Sequence, residues 1–231
     1  VVVNDAKITA IHTAVYNKGT MTFNGGSVSC GMNGTTRHTI YNLSGKTTIN
    51  GGTFTNTATD QNATGASVIN GAVTVNAGTF NGRIENYYGT PVIKGGTFSA
   101  NPTRFVKGYE VTDNGNGTWT VDEYKVSTGA ELADAIANGK AVELTQDVNL
   151  GKIDLTGAIT GDVVINANGH KITTTDSYGI EVTPGKNVTI SNADVEMTKE
   201  GDYITYAAGF KIANGDYAGS TITLQNCTIT M

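Results

Sequence analysis

The sequence predicts an all-β fold of the solenoid type, in which short strands stack coil upon coil. Its 231 residues include 30 Gly, 37 Thr and 23 Asn, about two fifths of the chain, whereas Leu occurs only six times. Thr fits a pleated surface, and Gly and Asn tolerate the positive φ of tight turns. This composition and a set of internal repeats favour strands and turns over helices.

Four similar segments fill the first hundred residues: AVYNKGTMTFNGGSV (14–28), TIYNLSGKTTINGGTF (39–54), SVINGAVTVNAGTF (67–80) and RIENYYGTPVIKGGTF (83–98). In each, a central apolar residue is followed five positions later by another, with a turn between them. The pairs are Phe23 and Val28, Ile49 and Phe54, Val75 and Phe80, and Ile93 and Phe98. Successive segments lie 26, 26 and 18 residues apart, so the variable length falls outside this unit, as in a solenoid.

Each segment predicts two short strands that meet at a corner, with alternate residues on one face. Because one segment cannot cover its own apolar face, we expect the coils to stack about 4.8 Å apart and to align like residues into internal ladders. An Asn precedes the Gly of every segment. We expect these residues to form a hydrogen-bonded turn ladder of Asn17, Asn42, Asn70 and Asn86.

The segment YEVTDNGNGTWTV (109–121) predicts a β-hairpin. Apolar and polar residues alternate on either side of Asn114-Gly115-Asn116-Gly117, which is a strong turn signal. We expect this hairpin to cover the end of the preceding stack, because an open coil exposes both a core and an unpaired strand edge.

The segment VSTGAELADAIANG (126–139) predicts a short capping α-helix near residues 129–138. Thr128 is the expected N-cap, Leu132 and Ile136 form an apolar stripe, and Gly139 ends the helix. A second stack follows, in which Ile165, Ile190 and Leu224 occupy like places. We therefore expect two domains, residues 1–123 with a C-terminal hairpin cap and residues 124–231 with a helix cap.

Specific motifs carry a resemblance to a known family. A helix of the type x-L-x-x-A-I-x-x-G, followed by V-E-L-T-Q-D and V-V-I-N-A-N-G-H-K-I, resembles the start of a right-handed parallel β-helix of the pectin-lyase-like superfamily. The repeats ending I-N-G-G-T-F and the closing G-Y-E-V-T-D-N-G-N-G-T-W-T-V resemble repeat domains of large bacterial surface proteins, notably those of Gram-positive gut bacteria. The resemblance covers nearly the whole chain and implies a right-handed parallel β-helix in an extracellular or cell-surface protein. It does not select a function, since that superfamily holds lyases, hydrolases, phage tailspikes and adhesins alike.

The order of the parts differs from that of the resembled domains, where the capping helix comes first and the hairpin last. The chain is therefore interpreted as straddling two tandem domains or as a permuted domain. Both ends have the pattern of strands within a stack, so the two halves are expected to complete one another within one chain or between chains, which predicts self-association through open β-helix ends.

The charge pattern excludes two classes of partner. The formal net charge is −5, and the fifteen basic residues are scattered singly, so neither nucleic acid nor an anionic membrane is an expected partner. No apolar run approaches the roughly 20 residues that span a bilayer, so we expect no membrane insertion in this segment.

No catalytic residue, metal site or cofactor is predicted. A site similar to that of pectate lyases needs clustered carboxylates for Ca²⁺ and a basic residue, and no such cluster is found here. The N-T-D, D-D, G-H-G and R-I-K signatures of the polygalacturonase-like hydrolases are also absent. His12 and His38 lie one repeat apart and could hold a metal between coils, but no further ligand completes such a set, so they are interpreted as polar residues at the start of a repeat.

Aromatic residues in predicted loops are the candidate ligand-binding residues: Tyr87, Tyr88, Tyr203, Tyr206 and Trp119. Exposed rings stack on the apolar faces of sugars, and loops that project from a solenoid commonly carry binding. The predicted function is a non-enzymatic stalk, spacer or adhesin whose partners are host or cell-wall glycans or surface proteins. The alternatives are a polysaccharide lyase or glycoside hydrolase with an unrecognised site, and a phage tailspike-like fibre.

Overall fold

The computed structural model describes residues 1–31, 37–58, 67–151, 153–155, 162–175, 178–182, 187–197, 208–212 and 221–230. These residues are mostly in β-strands, which agrees with the predicted all-β class. The chain divides into two compact units, Val1–Asp122 and Glu123–Met231. Each unit has its own hydrophobic core.

In its described residues, the first unit consists of strands of 2 to 12 residues and one turn of 3₁₀ helix at Thr103–Phe105. Its strands are β1 (Val2–Val3), β2 (Lys7–Ala10), β3 (Val15–Asn17), β4 (Thr20–Phe23), β5 (Ser27–Cys30), β6 (His38–Ile49), β7 (Thr53–Asn56), β8 (Ser67–Val75), β9 (Thr79–Asn81), β10 (Ile84–Glu85), β11 (Val92–Ile93), β12 (Gly96–Phe98), β13 (Glu110–Asp113) and β14 (Trp119–Asp122). One sheet has the order β1-β4-β6-β8-β10, with β3 also paired to β6 and β11 to β8. The other has the order β13-β14-β12-β9-β7-β5-β2.

Parallel pairing in both sheets aligns the repeats as the sequence predicts. Phe23, Ile49, Val75 and Ile93 are register partners in the first sheet. Val28, Phe54, Phe80 and Phe98 are register partners in the second. All eight side chains are at most 1% exposed. The rings of Phe54 and Phe80 stack with centroids 5.1 Å apart, and those of Phe80 and Phe98 with centroids 4.9 Å apart. These two columns are part of the buried core of the unit.

The predicted hairpin is confirmed, since β13 and β14 pair antiparallel. Strand β14 also pairs antiparallel with β12, which places Trp119 opposite Phe98. Val121 is buried and Trp119 is half-buried. The hairpin therefore extends the second sheet beyond the last parallel strand, as expected of a cap.

The predicted Asn ladder forms only in its first step. The Nδ2 of Asn17 donates to the Oδ1 of Asn42 at 3.0 Å, but the register partner of Asn42 in β8 is Gly71, so Asn70 does not join the ladder. Gly71 has a φ of +108°, and a Cβ there would lie 2.1 Å from the carbonyl oxygen of Asn42. The close approach of β6 and β8 thus excludes a side chain at the position where the ladder would continue.

An unpredicted ladder follows the exposed corner between the two sheets. Asn24 donates to Asn4 at 2.8 Å, Asn50 to Asn24 at 2.9 Å and Asn76 to Asn50 at 2.8 Å. Asn24, Asn50 and Asn76 each come directly after the central apolar residue of a repeat. Asn4 comes directly after Val3, which is the register partner of Phe23. The same backbone register that stacks the core therefore stacks the amides outside it.

The described residues of the second unit form one α-helix, α1 (Gly129–Ala137), and parallel strands. The strands are β15 (Tyr124–Val126), β16 (Ala141–Leu144), β17 (Val148–Gly151), β18 (Ile153–Leu155), β19 (Val163–Asn166), β20 (Lys171–Thr174), β21 (Tyr178–Val182), β22 (Asn187–Ser191), β23 (Asp194–Met197), β24 (Ala208–Ile212), β25 (Thr221–Gln225) and β26 (Thr228–Thr230). They form three sheets, with the orders β15-β16-β19-β22-β25, β17-β20-β23-β26 and β18-β21-β24. Ile165, Ile190 and Leu224 are register partners, which confirms their predicted equivalence.

Helix α1 begins and packs as predicted. Thr128 is its N-cap and forms a reciprocal capping box with Glu131, which satisfies two backbone N–H groups at the start of the helix. Leu132 and Ile136 are buried in the core together with Val142 of β16. A Cβ on Gly129 would lie 1.9 Å from the carbonyl oxygen of Asn149, so the start of the helix lies against β17 at a distance that only glycine allows.

We predict that Phe80→Ala lowers the free energy of unfolding of the first unit by about 3–5 kcal/mol, because it removes the middle ring of a buried stack. Trp119 is the only tryptophan and lies in this unit, so its fluorescence during urea denaturation reports the unfolding of this unit. The exposed neighbour Thr79 provides the control, and Thr79→Ala is expected to cost below about 1 kcal/mol. Equal losses in the two variants would contradict the assignment of Phe80 to the core.

Candidate functional site

A row of tyrosine rings lies on the first sheet of the first unit. The register of β3 and β6 pairs Tyr16 with Tyr41, directly beside the core partners Val15 and Ile40. Val15 and Ile40 are buried, whereas Tyr16 is 54% exposed and Tyr41 is half-buried. The two rings have centroids 5.2 Å apart at an angle of 48°. The alternation of a strand therefore places the rings outside the sheet whenever the aliphatic residues fill its inside.

Tyr88 extends this row from the turn after β10. Its ring meets that of Tyr41 edge to face, with centroids 5.1 Å apart at an angle of 86°. The register partner of Tyr41 in β8 is Asn70, whose side chain is smaller than a ring. Tyr88 is 47% exposed and its neighbour Tyr87 is 62% exposed. Tyr16, Tyr41 and Tyr88 together form what we call the aromatic row, with Tyr87 beside it.

A buried polar cluster supports the row from below. The backbone N–H of Tyr87 donates to the Oδ1 of Asn70 at 3.2 Å, and the Nδ2 of Asn70 lies 3.4 Å from the Nε2 of His38. The Nδ1 of His38 lies 2.8 Å from the Oγ of Ser67. The imidazole also stacks on Tyr41, with centroids 4.9 Å apart and planes 16° apart. All three polar side chains are at most 5% exposed, so their mutual hydrogen bonds replace bonds to water.

The environment of the cluster keeps two rings uncharged at neutral pH. Burial lowers the pKa of His38 to about 4. Burial, and next the hydroxyl of Tyr88, raise the pKa of Tyr41 to about 12. Both shifts favour the neutral form, as expected where a low-dielectric interior penalises charge. At any pH between these two pKa values, both His38 and Tyr41 are therefore uncharged.

Charged side chains flank the row. Glu85 is the register partner of Asn70 in β10, is 8% exposed and forms an ion pair with Arg83. At the other end, the Nζ of Lys18 lies 5.5 Å from the centroid of the Tyr16 ring. Arg104 donates to the Oδ1 of Asn86, next to Tyr87, at 2.7 Å. The row is thus an apolar surface bordered by hydrogen-bond donors and acceptors.

The structure brings together two of the five predicted ligand-binding residues, Tyr87 and Tyr88. Trp119 lies in the hairpin, opposite Phe98, and is not part of the row. Tyr203 and Tyr206 lie outside the described residues. The sequence reasoning missed Tyr16 and Tyr41, although their signal is present. Aligned on the apolar residue, the repeats read V-Y-N, I-Y-N, I-N-G and I-E-N, with a Tyr column that continues as Asn70 and Glu85.

Other reactive residues take structural positions in the described part of the chain. The thiol of Cys30 is buried and donates to the carbonyl oxygen of His12, and Cys227 is half-buried. Among the described residues, no three His, Cys, Asp or Glu side chains come close enough together to hold a metal ion. The same residues include no helix that has both the length and the apolar character needed to cross a membrane.

Comparison with protein-family models, with curated proteins and with solved structures gave no match for this chain. The function therefore has to be inferred from the site itself.

We predict that the stability of the first unit depends on pH through His38. The unfolded chain binds this proton at a pKa of about 6.5 and the folded chain at about 4, so the stabilisation is complete above pH 6.5 and is lost as the pH falls toward 4. The loss attributable to His38 is about 3 kcal/mol. Urea denaturation followed by Trp119 fluorescence from pH 7 to pH 4 measures it.

The contribution of His38 is isolated with His38→Gln, which keeps an acceptor for Asn70 but does not titrate. This variant is expected to lose the His38 part of the acid destabilisation, whereas His12→Gln, at an exposed position, is expected to keep the wild-type pH dependence. Identical pH profiles of the His38→Gln variant and the wild type would show that His38 is not protonated on unfolding.

Proposed function

We propose that this chain is a non-enzymatic module of a bacterial surface or secreted protein, and that its first unit binds glycans through the aromatic row. Each unit is proposed to be a right-handed parallel β-helix that serves as a stiff stalk or spacer. Of the five residues expected from the sequence, Tyr87 and Tyr88 belong to this proposed surface, which Tyr16 and Tyr41 extend onto the sheet itself.

The observation that carries the proposal is the spacing and exposure of the row. Three rings follow one another at 5.2 and 5.1 Å, and Tyr16 and Tyr88 expose about half of their surface. An exposed ring offers an apolar face to the C–H face of a pyranose. Rings in a line suit consecutive residues of an oligosaccharide better than a single small molecule.

The surroundings of the row fit a polyhydroxylated ligand. Lys18 and Arg104 supply donors, and the amide of Asn86 is shared with Arg104 at the edge of the row. Side chains that both donate and accept near an apolar platform are typical of sites that recognise sugars by stacking and hydrogen bonds together. The buried cluster below the row holds the rings in place before ligand binds, which reduces the entropy lost on binding.

The stalk role is supported by the pairing pattern. Apart from the β13–β14 hairpin, the described strands of both units are joined by parallel pairing between segments of sequence that lie about one repeat apart. Parallel strands need crossover connections, and such crossovers are right-handed in about 98% of cases. A stack of this kind resists bending because each strand is hydrogen-bonded to the strands before and after it in the sheet.

We predict that the purified chain binds a specific member of an array of mucin-type and plant glycans at neutral pH. Tyr88→Ala and Tyr16→Ala are each expected to weaken binding about tenfold, which corresponds to about 1.4 kcal/mol for the loss of one stacking ring. Isothermal titration calorimetry with the best glycan measures the effect. Light scattering in the same buffer establishes whether the chain self-associates, because multivalency would raise the apparent affinity.

Two matched variants serve as controls. Tyr88→Phe keeps the ring and is expected to bind within about threefold of the wild type, which separates stacking from the hydroxyl contact. Val92→Ala removes another exposed apolar side chain of the same unit and is expected to have no effect. A Tyr203→Ala/Tyr206→Ala double variant tests the remaining predicted tyrosines.

Three results would refute the proposal. Binding to no glycan on the array leaves only the stalk role. Release of new reducing ends or of unsaturated products from the bound glycan would indicate a hydrolase or a lyase. A stable trimer would favour a tailspike-like fibre.

A further inference from the structure

The buried cluster links His38 to the backbone of the aromatic row through a path of hydrogen bonds. The N–H of Tyr87 donates to Asn70, Asn70 contacts the Nε2 of His38, and the Nδ1 of His38 contacts Ser67. Tyr87 and Tyr88 lie in the turn after β10, and the Tyr87 N–H is a backbone contact of that turn with the cluster. The side chain of Asn70 therefore contributes to the position of the turn.

The direction of each bond in this path is fixed by its first member. A backbone N–H can only donate, so the atom of Asn70 that faces Tyr87 is the carbonyl oxygen, and the NH₂ group faces His38. The Nε2 of His38 must then accept, which places the proton of the neutral imidazole on Nδ1, where it donates to Ser67. Only the neutral imidazole lets every donor in this path face an acceptor.

We infer that His38 is a positioning residue for the Tyr87–Tyr88 turn and that its protonation releases this turn, so that ligand binding to the aromatic row is lost in acid. This inference rests on the proposed glycan-binding function and concerns the regulation of the same site. A proton on Nε2 places two donors, N–H and NH₂, opposite each other. If the Asn70 amide rotates to accept from His38, its NH₂ group then faces the N–H of Tyr87, so one of the two bonds is lost in either case.

The charged and titratable groups around the cluster support this assignment. Tyr41, on the same strand as His38, stacks on the imidazole, and Tyr88, from the turn, contacts Tyr41. Glu85, on the neighbouring strand β10, is paired with Arg83, and Arg37 precedes His38 in sequence. The pKa of His38 is lowered by burial. Stacking of the imidazole on Tyr41 is compatible with either protonation state, so the release acts through Asn70 and leaves Tyr41 in place.

A titration without ligand tests the switch by itself. In NMR spectra of the full chain from pH 7 to pH 3, the Tyr88 ring and the Tyr87 amide are expected to shift with the midpoint of the His38 imidazole, near pH 4. The Tyr41 ring is expected to keep its contact with His38. Unchanged Tyr87 and Tyr88 signals while His38 titrates would overturn the inference. Global loss of dispersed signals before His38 titrates would overturn it as well.

A binding titration tests the consequence for the ligand. With the glycan found at neutral pH, the apparent Kd of the wild type is expected to double near pH 4 and to rise about tenfold for each further pH unit. His38→Gln is expected to bind with a nearly constant Kd over the same range, because its amide keeps the acceptor for Asn70. His12→Gln, which removes an exposed imidazole, is expected to follow the wild type.

The outcomes separate the two proposals. Absence of binding at pH 7 refutes the glycan-binding function, and the ligand-free titration still decides whether His38 controls the turn. Binding that weakens equally in the wild type and in the His38→Gln variant refutes the switch and leaves the glycan-binding function standing.

Discussion

The parallel backbone register between successive repeats is the constraint on which the rest of this structure depends. Once Phe54 pairs with Phe80, every other residue of the two strands is assigned to a column, since side chains alternate across a strand with a period of two. A one-residue slip would turn the buried Phe column outward, so the apolar columns hold the register in place. This one alignment produces three features of the unit: the contacts between Phe rings, the exposed ladder of Asn amides and the pairing of Thr with Thr in neighbouring strands.

The aromatic row arises where the register brings unlike residues together. In the first two repeats the column outside the core holds Tyr16 and Tyr41, but in the third and fourth it holds Asn70 and Glu85. The smaller Asn70 leaves room above the sheet, and Tyr88 from the following turn packs there against Tyr41. The column of tyrosines is thus interrupted at Asn70. The buried polar cluster of Asn70, His38 and Ser67 lies at this interruption.

The core columns, the hairpin and the helix could be predicted from the sequence because each is encoded locally. The five-residue offset of the repeats places Phe23 and Val28 on the two sides of one turn. Asn114-Gly115 marks the turn of the hairpin, and Thr128 marks the start of the helix. The Asn70 position could not be predicted in this way, because the distance from Asn to the central apolar residue differs among the repeats. An alignment of the repeats on the Asn, rather than on the preceding aliphatic residue, shifts the third repeat by one position. The column that holds Tyr16 and Tyr41 then contains the core residue Ile69 and no longer reads as an outward-facing column.

The energetic character of the buried cluster argues that it serves more than stability. Asn70, His38 and Ser67 are buried polar side chains of the same sheet that holds an apolar column, and burying them loses the hydration of three polar groups. Their hydrogen bonds recover part of that cost only while the imidazole is neutral and the turn is docked. An apolar column at the same place would need no such hydrogen bonds and would carry no titrating imidazole. A local departure from an otherwise consistent sequence pattern is expected at a functional site. Here the departure is the buried polar cluster, which contacts Tyr41 of the aromatic row and Tyr87 beside it.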